Sequence, residues 1–120
     1  MLNEGIENIP QGLFEGCTAL PKITLPSSIQ KISFRAFYGC TSLQSILLND
    51  GLQHIGTRAF DSCTSLDSIS VPSTVTEIGC SAFDKCLELK EVNLVEGLLK
   101  VDYKALQNAL HCNALHFQPQ

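Results

Sequence analysis

The sequence predicts an α/β repeat solenoid, with a parallel sheet on one side and turns with short helical or 3-10 segments on the other. Three observations predict it. Apolar residues recur at one constant interval along the chain, so that they form columns when the repeats are aligned. Each repeat also contains one stretch in which apolar and other residues alternate, and one stretch in which apolar residues have helical spacing. The 120 residues suffice for about one core. We expect a single domain over residues 1–120, with about five coils at approximately 4–25, 26–48, 49–71, 72–94 and 95–117.

The repeat is visible as eight columns of five residues, all 40 of them apolar. Two columns are nearly invariant: Phe14, Phe37, Phe60 and Phe83, and Cys17, Cys40, Cys63 and Cys86. The other six begin at Ile6, Ile9, Leu13, Leu20, Ile23 and Leu25. Stacked coils bring equivalent side chains together, so the columns predict the core. Burial of each large side chain contributes about 1.5–3 kcal/mol.

Each coil contains one alternating segment and one compact segment. In the second coil, Ile46 and Leu48 are spaced for one face of a strand, whereas Ser45 and Leu47 point the other way. We therefore expect one strand per coil, paired in parallel with its neighbours. Residues 35–40 place apolar side chains at helical spacing and predict a short helical turn.

The connecting turns alternate between two types. Asn49-Asp50-Gly51 is flanked, one coil away on either side, by Pro26-Ser27-Ser28 and Pro72-Ser73-Thr74. Glycine allows positive φ and proline fixes φ, so both types favour turns by different means. The alternation predicts a superperiod of two coils.

The unit L-x-x-I-x-L-P-x-S-(I/V)-x-x-I-x-x-x-A-F-x-x-C-x-x resembles the BspA-like leucine-rich repeat. Its A-F-x-x-C signature begins at Ala36, Ala59 and Ala82, and the last coil departs from it with Leu106 and Ala109. The resemblance implies a curved leucine-rich-repeat solenoid that binds proteins or cell surfaces, with no enzyme activity and no cofactor. It does not imply a particular ligand, because variable exposed positions select partners in repeat proteins.

The charge composition disfavours two classes of partner, nucleic acid and anionic membranes. Twelve acidic and eight basic residues give a formal net charge of −4, which disfavours nucleic acid and anionic membranes. Residues 1–10 lack the pattern of a signal peptide, and no apolar run is long enough for a transmembrane helix. We therefore expect no membrane insertion, and the localisation stays open between the cytoplasm and a fragment of a surface protein.

The six cysteines predict buried thiols more than a disulfide framework. Stacked strands lie about 4.8 Å apart, whereas the β-carbons of a relaxed disulfide lie about 3.8 Å apart and turn toward each other. Reduced ladder thiols are the favoured interpretation. The alternative is a disulfide between Cys17 and Cys40, or between Cys63 and Cys86. Cys112 falls in an apolar column, and Cys80, outside the columns, is the candidate reactive thiol.

No pattern of residues predicts catalysis or a metal site. His54 is not accompanied by a nucleophile motif, and no G-x-S-x-G occurs. The closest approach to a zinc site is His111, Cys112 and His116, but strand alternation sends His116 and Cys112 to opposite sides of the sheet. We expect no enzyme activity, no cofactor and no metal.

Strand alternation does locate a candidate binding face on the outside of the sheet. It consists of Lys22, Thr24, Ser45, Leu47, Ser68, Ser70, Glu91, Asn93, Ala114 and His116. Our leading hypothesis is a non-catalytic scaffold that binds a protein through this face. The alternative is a structural spacer without a ligand of its own, since the face lacks Tyr, Trp and Arg. Neither terminal coil has an evident polar cap, so we also expect a longer array or end-to-end self-association.

Overall fold

The computed structural model describes residues 4–95, 100–101 and 115–118, which form a solenoid of parallel strands that recur once per repeat. Two strands occur in each coil, ten in all within the described residues. The short strands are β1 (Asn8–Ile9), β3 (Lys31–Ile32), β5 (His54–Ile55), β7 (Glu77–Ile78) and β9 (Lys100–Val101). The longer strands are β2 (Lys22–Thr24), β4 (Ser45–Leu47), β6 (Ser68–Ser70), β8 (Glu91–Val95) and β10 (Leu115–Gln118).

The short and long strands form separate parallel ladders. The short strands make one five-stranded sheet in the order β1-β3-β5-β7-β9. The long strands make a β2-β4 pair and a three-stranded β10-β8-β6 sheet, joined where the Asp67 N–H donates to the Gln44 carbonyl at 3.2 Å. The expectation of one strand per coil is therefore wrong. A two-residue alternation such as Lys31-Ile32 is too short to be recognised without its partner coil.

The predicted apolar columns form the core in the second to fourth coils, residues 26–92. Phe37, Phe60 and Phe83 are fully buried. Together with Phe14 they form a continuous stack, whose ring centroids lie 5.1, 5.2 and 5.5 Å apart with interplanar angles of 8° or less. The columns thus bury identical side chains against one another, as the constant period predicts. Most of the residues that these columns have in the fifth coil lie outside the described residues.

Within the described residues, the first coil is covered by a neighbouring coil on one side only. Phe14, Cys17 and Leu20 are partly buried, and Leu13 is 46% exposed, whereas its column mates Ala36, Ala59 and Ala82 are fully buried. The placement of Leu13 in the core is therefore wrong. Among the described residues no coil precedes residue 4 to cover its side chain, and leucine is larger than the alanine that fits this column in later coils.

The compact segment of each coil consists of successive turns, and no helix or 3-10 segment occurs in the described part of the chain. In residues 35–40 the backbone amides alternate between acceptors in their own coil and acceptors in the next coil. Those of Ala36 and Tyr38 donate three residues back, whereas that of Phe37 donates to Ala59 of the next coil at 2.8 Å. Arg35 and Gly39 also have positive φ values of 55° and 73°. A helix would use consecutive amides internally, so the expected short helical segments are wrong.

Candidate functional site

The candidate binding face lies on the outside of the long strands. Asn93 is half-buried there, and the exposed residues are Lys22, Thr24, Ser45, Leu47, Ser68, Ser70 and Glu91. Between them, Ile23, Ile46, Ile69 and Val92 point into the core. Because the inward side chains hold the strands, the outward ones are free to vary without opening the core. Ala114 lies outside the described residues, and His116 is placed only as a position in β10.

Leu47 is the apolar centre of this face. Its side chain is 65% exposed, the largest exposure among the large hydrophobic residues described. In the ladder it stands beside Thr24, and Ser70 and Asn93 follow in the same column one and two coils later. An exposed leucine among small polar side chains gives a partner one apolar anchor with unobstructed access.

The two ends of the face differ in charge. Lys22 and Glu91 occupy the same column three coils apart, about 14 Å at a strand spacing of 4.8 Å. Asn93 Nδ2 donates to Ser70 Oγ at 3.2 Å and to Glu91 Oε1 at 3.3 Å. The acidic end is thus held by side-chain hydrogen bonds.

A second polar row was missed by the sequence analysis because it lies on the unpredicted ladder. Lys31, His54 and Glu77 are register partners on β3, β5 and β7, and His54 Nδ1 lies 3.4 Å from Glu77 Oε1. They border a shallow cavity of about 380 Å³ with Gly56 and Gly79. Lys31 is exposed, whereas His54 and Glu77 are partly exposed, so the row is a surface of mixed charge in which ion pairing is weak.

Among the described residues, those typical of interface hot spots lie on the turn side instead. The Arg35 guanidinium stacks 3.9 Å from the Tyr38 ring centre and lies 3.4 Å from the Glu15 carboxylate. Arg58 Nη1 bonds to the buried Asp61 carboxylate at 2.7 Å, which raises the pKa of Arg58. Both arginines are therefore engaged within the chain, and the sequence spacing alone did not indicate these pairs.

The ladder cysteines are free thiols that bond to the backbone. The Sγ atoms of Cys40, Cys63 and Cys86 donate to phenylalanine carbonyls of the preceding coil at 3.1–3.2 Å. Burial raises the pKa of Cys86 to about 12. Hydrogen bonding with Cys40, and then burial, raise the pKa of Cys63. Hydrogen bonding with Cys63 lowers the pKa of Cys40. A buried thiol held in protonated form is a poor nucleophile, so Cys63 and Cys86 pack as small apolar side chains.

Cys80 and Cys17 are the more accessible cysteines of the described coils. Both are free and half-buried, and Cys80 Sγ lies 3.6 Å from Ser81 Oγ. No group of three or more His, Cys, Asp or Glu side chains in the described residues could hold a metal ion. The trio of His111, Cys112 and His116 lies outside those residues except for the backbone of β10. Nor does any helix in the part described have the length and apolarity to cross a bilayer.

Comparisons with known proteins agree with this architecture. The BspA type leucine rich repeat region matches residues 1–115 in six copies. No curated protein matches the chain. A leucine rich cell surface protein from Faecalibacterium prausnitzii has a similar structure, with a TM-score of 0.93 and 26% identity. The match covers 99% of this chain and 31% of that protein, so the chain spans about a third of its length.

Two further solved structures share the fold. A leucine rich repeat protein from T. pallidum is 31% identical with a TM-score of 0.63, over 98% of this chain and 67% of that one. A leucine-rich repeat protein from Bacteroides ovatus is 24% identical with a TM-score of 0.54, over 99% of this chain and 41% of that one. The fold, the constant spacing and the match over residues 1–115 lead to one conclusion: the chain belongs to the BspA-type leucine-rich repeat family.

Proposed function

We propose that this chain is a non-catalytic scaffold that binds a protein partner through the outer face of its long strands. The observation that carries the proposal is Leu47, an apolar side chain 65% exposed at the centre of a face that is otherwise polar. A partner with a small apolar recess and a polar rim fits this arrangement, since interfaces bury an apolar centre and hydrate their edges.

The charges at the two ends of the face orient such a partner. An acidic group opposite Lys22 and a basic group opposite Glu91 would favour one orientation and disfavour the reverse. The face is small in relation to a standard interface, which uses about 20 to 30 residues on each side. Affinity therefore depends on one anchor and on additional contacts from turns or further coils.

The experiment compares two identical substitutions at exposed leucines. Leu47→Asp places a carboxylate at the centre of the face, and Leu87→Asp makes the same change on the turn side, where Leu87 is 40% exposed. Both variants keep every buried ladder residue. A partner isolated from extract of the source organism should bind Leu87→Asp as it binds the parent and lose most of its affinity for Leu47→Asp. Equal binding to both variants, or equal loss, would contradict the proposed face.

The spacer alternative is favoured by a specific observation, the shortage of Tyr, Trp and Arg on the strand face. A spacer holds neighbouring domains at a fixed distance and has no ligand. If the parent binds no protein from extract at all, while its thermal unfolding is cooperative, the spacer hypothesis gains and the binding hypothesis fails.

A further inference from the structure

Backbone amides in several columns tie each coil to the coil before it. In the column that directly follows the short strands, the N–H groups of Ser33, Gly56 and Gly79 donate to the preceding coil at 2.8–3.0 Å. The acceptors are the carbonyls of Ile9, Ile32 and Ile55. These bonds extend the short-strand ladder by one residue at its end.

The second column directly precedes the long strands. The N–H groups of Gln44, Asp67 and Lys90 donate to the preceding coil at 2.7, 3.2 and 2.8 Å, to the carbonyls of Pro21, Gln44 and Asp67 respectively. Both columns thus use a donor in every one of the second to fourth coils, and both donors point in the same direction along the solenoid.

In the first coil both of these positions are proline. Pro10 occupies the column of Ser33 one coil earlier, and Pro21 likewise occupies the column of Gln44. Proline has no N–H, and a ring carbon occupies the place of the missing hydrogen. The chain has 5 prolines, and neither column contains one in the later coils described. The first coil therefore lacks two donors that every later described coil uses to bond backward.

The same face of the first coil is otherwise suited to stacking. Phe14 has a ring neighbour on one side only among the described residues, and Phe14, Cys17 and Leu20 border an apolar depression. The Cys40 thiol donates to the Phe14 carbonyl of the preceding coil, whereas no described coil precedes Cys17 with an equivalent carbonyl. The strands β1 and β2 are edge strands in the described sheets. Open edges of this kind invite strand addition unless something obstructs it, and proline on an edge strand is an obstruction known in proteins.

We propose that Pro10 and Pro21 make this face of the first coil a stop, which prevents another coil of the same repeat from stacking on it in parallel register. An added coil would leave the carbonyl opposite Pro10 without its donor. The carbonyl opposite Pro21 would keep only the counterpart of the longer bond, 3.4 Å, that the Ser45 N–H donates to Pro21, and the coil would meet a proline ring at both places. A second copy of the chain therefore cannot stack its last coil here. End-to-end association, where it occurs, has to use the other end of the solenoid, where β9 and β10 each have one strand neighbour in the described sheets.

The test adds a coil and asks whether it stacks. A duplicate of residues 26–48 is inserted directly before Asn3, which preserves the constant spacing of the columns. One extended protein keeps both prolines, and the other carries Pro10→Ser and Pro21→Gln, the residues found in the same columns of the second coil. Hydrogen exchange of the added coil's amides is measured in both. We expect exchange close to that of unfolded peptide with the prolines present and at least tenfold slower without them.

A third extended protein, with Pro72→Asn, removes a proline from the interior of the solenoid and should leave the added coil unprotected. The single variants Pro10→Ser and Pro21→Gln should each give intermediate protection, and they provide the comparison if the double variant does not fold. Equal protection of the added coil with and without the prolines would overturn the proposal. So would rapid exchange in all the variants that fold, because another feature would then exclude the coil.

Discussion

The backbone N–H of Gly51 donates a hydrogen bond of 3.0 Å to the hydroxyl of Thr74, one coil later. The same hydroxyl donates to the Leu52 carbonyl at 2.7 Å. Gly5 and Ser28 repeat the first bond at 3.0 Å. A glycine turn with positive φ is therefore followed by a hydroxyl turn that satisfies its amide, and this pairing gives the two-coil alternation of the turns a physical basis.

We predict that Thr74→Val destabilises the protein by about 0.5–1.5 kcal/mol, because it removes the hydrogen bonds that the Thr74 hydroxyl makes with the Leu52 carbonyl and the Gly51 amide at a partly solvated turn. Urea denaturation measures the free energy of unfolding. Thr24→Val is the matched control, since Thr24 is exposed on a strand and should change stability by no more than about 0.5 kcal/mol. A loss at Thr24 as large as the loss at Thr74 would refute the role of the hydroxyl.

The phenylalanine stack predicts a difference between its interior and its end. Phe60 is fully buried with rings at 5.2 and 5.5 Å on its two sides, so Phe60→Ala should cost about 3–5 kcal/mol. Phe14 is only partly buried, with Phe37 on one side, so Phe14→Ala should cost clearly less. Thermal or urea unfolding compares the two variants. Equal losses would mean that the rings do not stabilise the protein through mutual stacking.

The raised pKa of Cys86 predicts a loss of stability at alkaline pH. In the unfolded chain the thiol ionises near pH 8.5, whereas in the folded chain its pKa is about 12. Below about pH 8.5 both states hold the proton, and the contribution is fully present. As the pH rises toward 12 only the unfolded state releases it, so the free energy of unfolding falls, by about 2 kcal/mol from this thiol at pH 10.

The measurement is urea denaturation of the parent and of Cys86→Ala at intervals from pH 7 to pH 10. Groups remote from Cys86 titrate equally in both proteins, so the difference between them reports mainly on this thiol. The variant should have the lower stability at pH 7 and the shallower decline toward pH 10. Parallel curves would show that burial of Cys86 does not resist its ionisation.

Several features of the fold were determined by the sequence itself. The columns of Phe37 and Cys40 predicted the period and most of the core, because in a stack of coils each side chain packs against its own counterpart. The alternation around Ile46 predicted the parallel strand and the outward position of Leu47. These conclusions need only local alternation and the constant length of the repeat.

Tertiary structure decided where the backbone hydrogen bonds go. The apolar residues of the turns at 35–40 have helical spacing, but the Phe37 amide donates to the carbonyl of Ala59 in the next coil. The sequence pattern does not indicate which carbonyl accepts from this amide. The short-strand ladder also forms only between coils. The same is true of the hydrogen bonds to the preceding coil that Pro10 and Pro21, without an N–H, are unable to donate. Side-chain periodicity is a local property of the sequence, whereas the partner of each amide is fixed only when the coils stack.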